Sequence, residues 1–91
     1  MKVITRQMTR GHIILILSDG RYLYISGEMV MDGTFYACYG GDWYWIREPK
    51  KQIILLDDKD IIAPLTNSEK ESMLPVIKEY SDSERYKIIV D

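Results

Sequence analysis

GHIILILSDGRYLYIS, from Gly11 to Ser26, is the stretch on which the fold turns. Ile13 to Leu17 is an unbroken apolar run, the pattern of a strand covered on both faces. Ser18, Asp19 and Gly20 interrupt it, and beyond them Tyr22 and Tyr24 alternate with Leu23 and Ile25 at strand period. An Asp-Gly pair suits the positive φ of a tight hairpin turn. The spacing therefore predicts that His12 to Ser18, as a central strand, pairs antiparallel with Arg21 to Ser26.

Outward from this hairpin, Val3 to Thr5 is a short β-prone run, and Gly27 to Met31 fits either a bulged turn or one helical turn before Asp32-Gly33. Phe35 to Tyr39 and Trp43 to Arg47 flank Gly40, Gly41 and Asp42, which predicts a second hairpin. Pro49, Lys50 and Lys51 break the chain, and Gln52 to Leu56 resumes a β-like run. From Asp57 onward the chain turns acidic, with 9 acids against 5 bases. Ser68 and Glu71 stand at capping-box spacing, so a helix is expected from about Ser68 to Tyr80. Met73, Leu74, Val76, Ile77 and Tyr80 would form its apolar face. Pro75 is expected to kink or split that helix, unless the helix starts only at Leu74. Tyr86 to Val90 reads as a last strand. The fold class that results is α+β: an antiparallel sheet of about five to six strands built from hairpins, one main C-terminal helix packed on one face, and a short final strand.

With 91 residues, 46% of them hydrophobic, the chain can hold one core and is read as a single domain, residues 1–91. Ten aromatics and this apolar fraction argue against disorder. Twelve Lys and Arg against 14 Asp and Glu lack the basic surplus that phosphate binding needs, so no nucleic acid is expected as partner. The first ten residues hold no signal-peptide apolar segment, and no run approaches the ~20 residues of a membrane helix, so a cytoplasmic protein with no membrane partner is expected. Cys38 is the single cysteine, which leaves no internal disulfide and no multi-cysteine zinc site.

The catalytic inventory is thin. His12 is the sole histidine and reads as structural, and Cys38 reads as a small hydrophobe pointing into the core. The glycines are scattered over turns and form no phosphate loop. Asp57, Asp58 and Asp60 in LLDDKD lack the spaced acids, central glycine and distal glutamate of an EF-hand loop, and suit a basic protein surface better than a cation. No catalytic residue, metal or cofactor is expected. Eight of the ten aromatics fall between Tyr22 and Trp45, more than one small core can bury. Strand parity sets Tyr22 with Tyr24, and Trp43 with Trp45, each pair on one face, leaving an exposed aromatic face as a protein-binding surface or a source of cross-strand pairs.

Read together, GHIILILSDGRYLYISGEM from Gly11 to Met29, the following FYACY, the WYWIREP block and the closing KIIVD resemble the immunity protein 74 family, small bacterial proteins encoded beside polymorphic toxins. The resemblance implies a cytosolic antidote that binds the C-terminal domain of a cognate toxin and blocks it without catalysis. Many such toxins are nucleases with basic clefts, which makes Glu28, Asp32, Asp57, Asp58 and Asp60 candidates for meeting positive charge, with Trp43 and Trp45 as aromatic anchors. The other reading of the same residues is a small structural or regulatory module, homodimeric through a strand edge or the tryptophan face.

Overall fold

The computed structural model describes residues 1–83 and 87–91. Its elements in chain order are β1 (Val3–Met8), β2 (His12–Leu17), β3 (Tyr22–Met29), β4 (Phe35–Ala37), β5 (Trp43–Ile46), a single 3-10 turn (Asp58–Asp60), β6 (Ile61–Pro64), α1 (Asn67–Ser83) and β7 (Ile88–Val90). This is an α+β fold, a curled mixed sheet with one helix against it. Tyr86, the expected first residue of the last strand, lies outside the described residues.

The hairpin forms as the sequence predicts, with Ile13 opposite Ile25 and Ile16 opposite Tyr22. Its turn is a three-residue loop closed by Leu17 N–H to the Arg21 carbonyl (2.9 Å) and Gly20 N–H to the Leu17 carbonyl (3.0 Å). Only Gly20 takes positive φ, +89°, and Asp19 braces the turn by accepting from the Arg21 backbone N–H at 3.1 Å. On the other side of β2 stands β1, which extends the expected Val3–Thr5 run to Met8. Flanked on both edges, β2 is the central strand, and of its residues only Ile16 is more than marginally exposed.

Three expectations need correction. Gly27 to Met29 forms neither a bulged turn nor a helical turn: β3 continues through it to pair with β4, Gly27 opposite Ala37 and Met29 opposite Phe35. The second hairpin does not exist either. β4 and β5 lie end to end along one edge of β3, joined by an excursion whose ends both bond Ser26: Ser26 N–H donates to the Asp42 carbonyl (2.9 Å), and Cys38 N–H to the Ser26 carbonyl (3.2 Å). The eight-residue β3 offers enough edge for both segments, and pairing with it satisfies their backbones without the two meeting. Finally, Gln52 to Leu56 is not a strand. Pro49 and the lysines after it carry the chain off the sheet, and it returns only at Ile61, opposite Ile46. That return is fixed by a capped 3-10 turn, in which Asp57 accepts from Lys59 N–H (3.4 Å) while Asp60 accepts from Asp57 N–H (3.3 Å).

The helix starts one residue before its expected origin, and its capping box is Thr66 with Glu69 rather than Ser68 with Glu71. Glu69 N–H donates to Thr66 Oγ1 (3.1 Å) and Thr66 N–H to Glu69 Oε1 (2.9 Å). Pro75 sits inside α1, which runs on to Ser83. Both Pro75 and Glu71, whose carbonyl loses its i+4 donor there, are exposed, so the freed carbonyl stands on the solvent side. The helix then returns the chain as a crossover, so β7 pairs parallel with β4, Phe35 opposite Ile88; the sheet is mixed rather than wholly antiparallel. Buried Ser81 secures this return by accepting from Ile88 N–H at 2.9 Å.

Helix residues Met73, Ile77 and Tyr80, at i, i+4 and i+7, bury against Ile13, Leu15, Leu17, Leu23, Ile25, Phe35, Ala37 and Trp43. Full burial of each large apolar side chain stabilises the fold by about 1.5–3 kcal/mol. The core therefore lies between α1 and one face of the sheet. Tyr80 also accepts from Arg6 at 2.6 Å, tying the helix to β1.

Candidate functional site

Register decides which aromatics face the helix. Leu23 pairs with Trp45 and Ile25 with Trp43, so both tryptophans share the core face, while Tyr24 pairs with Tyr44 on the opposite one. The aromatic face that sequence parity assigns to Trp43 and Trp45 is thus the covered one. Trp43 is 2% exposed, and its indole N–H donates to the Cys38 carbonyl at 2.8 Å. Trp45 is half-buried: the Arg21 guanidinium lies 4.1 Å from its ring centroid, and its N–H donates to Glu69 Oε2 at 2.8 Å. Neither offers a partner a free ring. Cys38 also departs from expectation. Phe35 and Ala37 take the inward positions of β4, which leaves Tyr36 and Cys38 exposed.

The opposite face carries a row of rings. His12 stacks on Tyr24 (centroids 5.0 Å, planes 28° apart), and Tyr24 on Tyr44 (6.0 Å, 29°). Beside them on the same face, Ile14, opposite Tyr24, is 0% exposed and Ile46, opposite Tyr22, is 2% exposed. The chain after β5 passes over this face, and the His12 ring shares a hydrogen bond with the backbone of Ile53. Thr9 Oγ1 lies 3.1 Å from the ring's Nδ1. A neutral ring protonated on Nε2 satisfies both partners, accepting from Thr9 and donating to the Ile53 carbonyl. The ring in this way ties the loop after β5 to the sheet.

Burial lowers the His12 pKa below 6.5, with the Ile53 bond opposing. The unfolded chain then binds the proton more readily, so stability is full above pH 6.5 and is lost as pH falls from there toward the folded-state value. In urea denaturation between pH 8 and 5, the wild type is expected to lose stability below about pH 6.5, and His12→Gln to remove that slope. A wild type as stable at pH 5 as at pH 8 would contradict the burial of the ring. The bonds that hold the Asp32 and Glu69 carboxyls below their usual values, chiefly from the Thr34 and Thr66 backbones, act only in a lower window, below 4.5.

Carboxylates border the tyrosines. Partial burial, then the charges of Asp42 and Asp58, raise the Tyr44 pKa; burial and Asp42 raise that of Tyr24; burial and Glu48 raise that of Tyr22. Tyr22 donates to Glu48 Oε1 at 3.3 Å. The phenols thus stay protonated beside acceptor oxygens, an arrangement that can take a guanidinium or ammonium against ring face and carboxylate together. Of the acids singled out from sequence, Asp58 joins this group. Asp57 and Asp60 are engaged in capping their own turn. Glu28 lies further along β3, opposite Tyr36, and Asp32 closes a separate turn by accepting from Thr34 N–H at 2.9 Å. Among the described residues, no three His, Cys, Asp or Glu side chains come together as a metal site, and no helix is long and apolar enough to cross a membrane. Asp42 and Glu48 were missed in sequence. Their position at the two ends of the WYWI strand was the available signal.

The chain matches none of the protein-family models, curated proteins or solved structures with which it was compared.

Proposed function

We propose that this chain is an immunity protein of the immunity protein 74 type, acting in the cytoplasm without catalysis of its own, which binds the C-terminal domain of a cognate bacterial toxin one-to-one and occludes it. A nuclease is the toxin class that fits, because a cleft built for phosphate presents the Lys and Arg that an acidic surface meets. One observation carries the reading: Asp42, Glu48 and Asp58 surround the half-buried tyrosines Tyr22, Tyr24 and Tyr44 on the face of the sheet away from the helix. Such a surface combines charge that speeds encounter with rigid rings that slow release.

Calorimetric titration against the purified toxin domain encoded beside this chain tests it. The expected result is a one-to-one complex of nanomolar affinity or tighter that weakens with salt. Tyr44→Ala is expected to weaken it by about 30-fold, and Asp58→Lys by about tenfold with most of the change in association rate. Undiminished binding by both variants would reject this surface, and no heat with a folded toxin domain would reject the function.

A further inference from the structure

Among the described residues the sheet has three outer edges, β1, β6 and β7. Two of them are guarded. β1 breaks register between Val3 and Thr5 and turns Arg6 inward to Tyr80, and β6 breaks register against Trp45 and Ile46 and ends on Pro64. Bulges, inward charges and proline are features that keep an edge from pairing further. β7 has none of these: Ile88, Ile89 and Val90 run in unbroken register with β4. The Lys87 carbonyl accepts from Phe35 N–H, Asp91 N–H donates to the Ala37 carbonyl, and the Asp91 carbonyl accepts from Tyr39 N–H, each at 2.9 Å. Alternate residues of a parallel strand address the same neighbour, so Ile88 and Val90 turn their N–H and C=O groups to the outer edge. Ser81 Oγ takes the Ile88 N–H at 2.9 Å; the Ile88 C=O and both Val90 groups point outward.

Beside that edge, α1 and β7 enclose a groove of about 440 Å³. Ile88 and Val90, opposite Phe35 and Ala37, lie on the helix side of the sheet, and with Leu74 and Ile77 they form the apolar walls. Of the described residues that line the groove, Lys78 and Lys87 are basic and Asp82 alone is acidic, held by Lys78 at 2.9 Å. A free strand edge beside an apolar groove is the arrangement on which an extended peptide adds as a strand, main chain to main chain, with alternate side chains in the groove. The surplus positive charge selects the composition of that peptide. We propose that β7 takes an extended acidic peptide as an added strand, with aliphatic side chains in the groove and carboxylates toward Lys78 and Lys87. The same charge disfavours the basic partner proposed for the tyrosine face, so the two surfaces take different ligands. This inference stands without the toxin reading.

Backbone amide shifts of the full chain, titrated at low salt with the blocked peptide acetyl-Glu-Val-Glu-Val-Glu-amide, test it. Changes are expected at Ile88–Val90 and at Leu74, Ile77 and Lys78, with half-saturation below about 1 mM. The peptide acetyl-Lys-Val-Lys-Val-Lys-amide should bind at least about tenfold more weakly. Val90→Pro removes the outward N–H and leaves the bonds to β4, a substitution that edge strands accept, and is expected to weaken binding about tenfold. Lys87→Glu alters an exposed side chain and is expected to weaken it about threefold. Unchanged Phe35 and Tyr39 amide signals show that β7 keeps its place in each variant, and Lys87→Glu with the lysine peptide decides the matter if Val90→Pro displaces it. No response at β7, a response confined to the tyrosine face, equal binding of the two peptides, or undiminished binding by a folded variant overturns the proposal. β7 signals that move with protein concentration in the absence of peptide would assign the edge to a second copy and overturn it equally.

Discussion

Trp43→Ala is expected to lower the unfolding free energy by about 3–5 kcal/mol, the range for removing a large aromatic side chain from a packed interior. Trp43 lies on the core face, 2% exposed, within the cluster that joins Leu23, Ile25 and Phe35 to Met73 and Ile77. Its loss opens a cavity and also strips the Cys38 carbonyl of the indole N–H that reaches it at 2.8 Å. That bond anchors the excursion between β4 and β5, as do the Tyr39 ring set edge-on at 6.2 Å and the Lys70 ammonium that donates to the Tyr39 carbonyl at 2.8 Å. Against the about 5–15 kcal/mol typical of a whole domain, such a loss removes a large share of the stability, and at the low end of that range it leaves a measurable fraction of the chain unfolded. Tyr44→Ala, one residue on and half-exposed, is expected to lose only about 1 kcal/mol. Urea denaturation of the two variants separates them, and a Trp43→Ala midpoint equal to that of Tyr44→Ala would contradict the assignment of the two faces. Binding by Trp43→Ala is meaningful only per folded molecule, since a stability defect imitates a lost anchor.

What could be read from sequence follows the range of the interactions involved. The β2–β3 hairpin and the helix are specified locally, by an Asp-Gly turn and by apolar residues at i, i+4 and i+7, and both were legible. The end-to-end placement of β4 and β5 was not, because a Gly-Gly-Asp loop between two aromatic runs carries the same local signal whether the runs pair with each other or both pair with a longer third strand. Parity showed that Trp43 and Tyr44 point to opposite faces, but which face is buried depends on where a helix 24 or more residues later comes to rest. The site suffered the same limit. Asp58 was found from charge density alone, whereas Asp42 and Glu48 gain their meaning only once β5 carries Tyr44 beside Tyr24. Asp57 and Asp60 look identical to Asp58 in sequence, yet they cap a turn that replaces the strand expected at Gln52 to Leu56.

Gly27→Ala should be nearly as damaging as the loss of Trp43, although it adds a single methyl group. A Cβ on Gly27 would overlap the carbonyl oxygen of Tyr36 and fall 2.7 and 2.8 Å from two atoms of the Phe35 ring. The position lies where β3 passes from β5 to β4, and Phe35, two residues from the direct partner Ala37, lays its ring over the space that a side chain would fill. A glycine in a strand weakens it by lost packing, and an aromatic placed over it restores that packing. The backbone cannot retreat, because Gly27 N–H is held by the Gly11 carbonyl at 3.1 Å and the next residues by β4. Overpacking of a close-packed site costs about 1–3 kcal/mol, occasionally more, and contact with backbone as well as ring places Gly27→Ala at or above the top of that range. A double-mutant cycle with Phe35→Leu apportions the effect. Leucine vacates the ring edge but leaves the Tyr36 carbonyl in place, so the double variant is expected to lose less than the sum of the single losses while staying well below the Phe35→Leu protein. Simple additivity would mean that the ring does not occupy the glycine's side-chain space, and full recovery to the Phe35→Leu level would mean that the backbone contact relaxes freely.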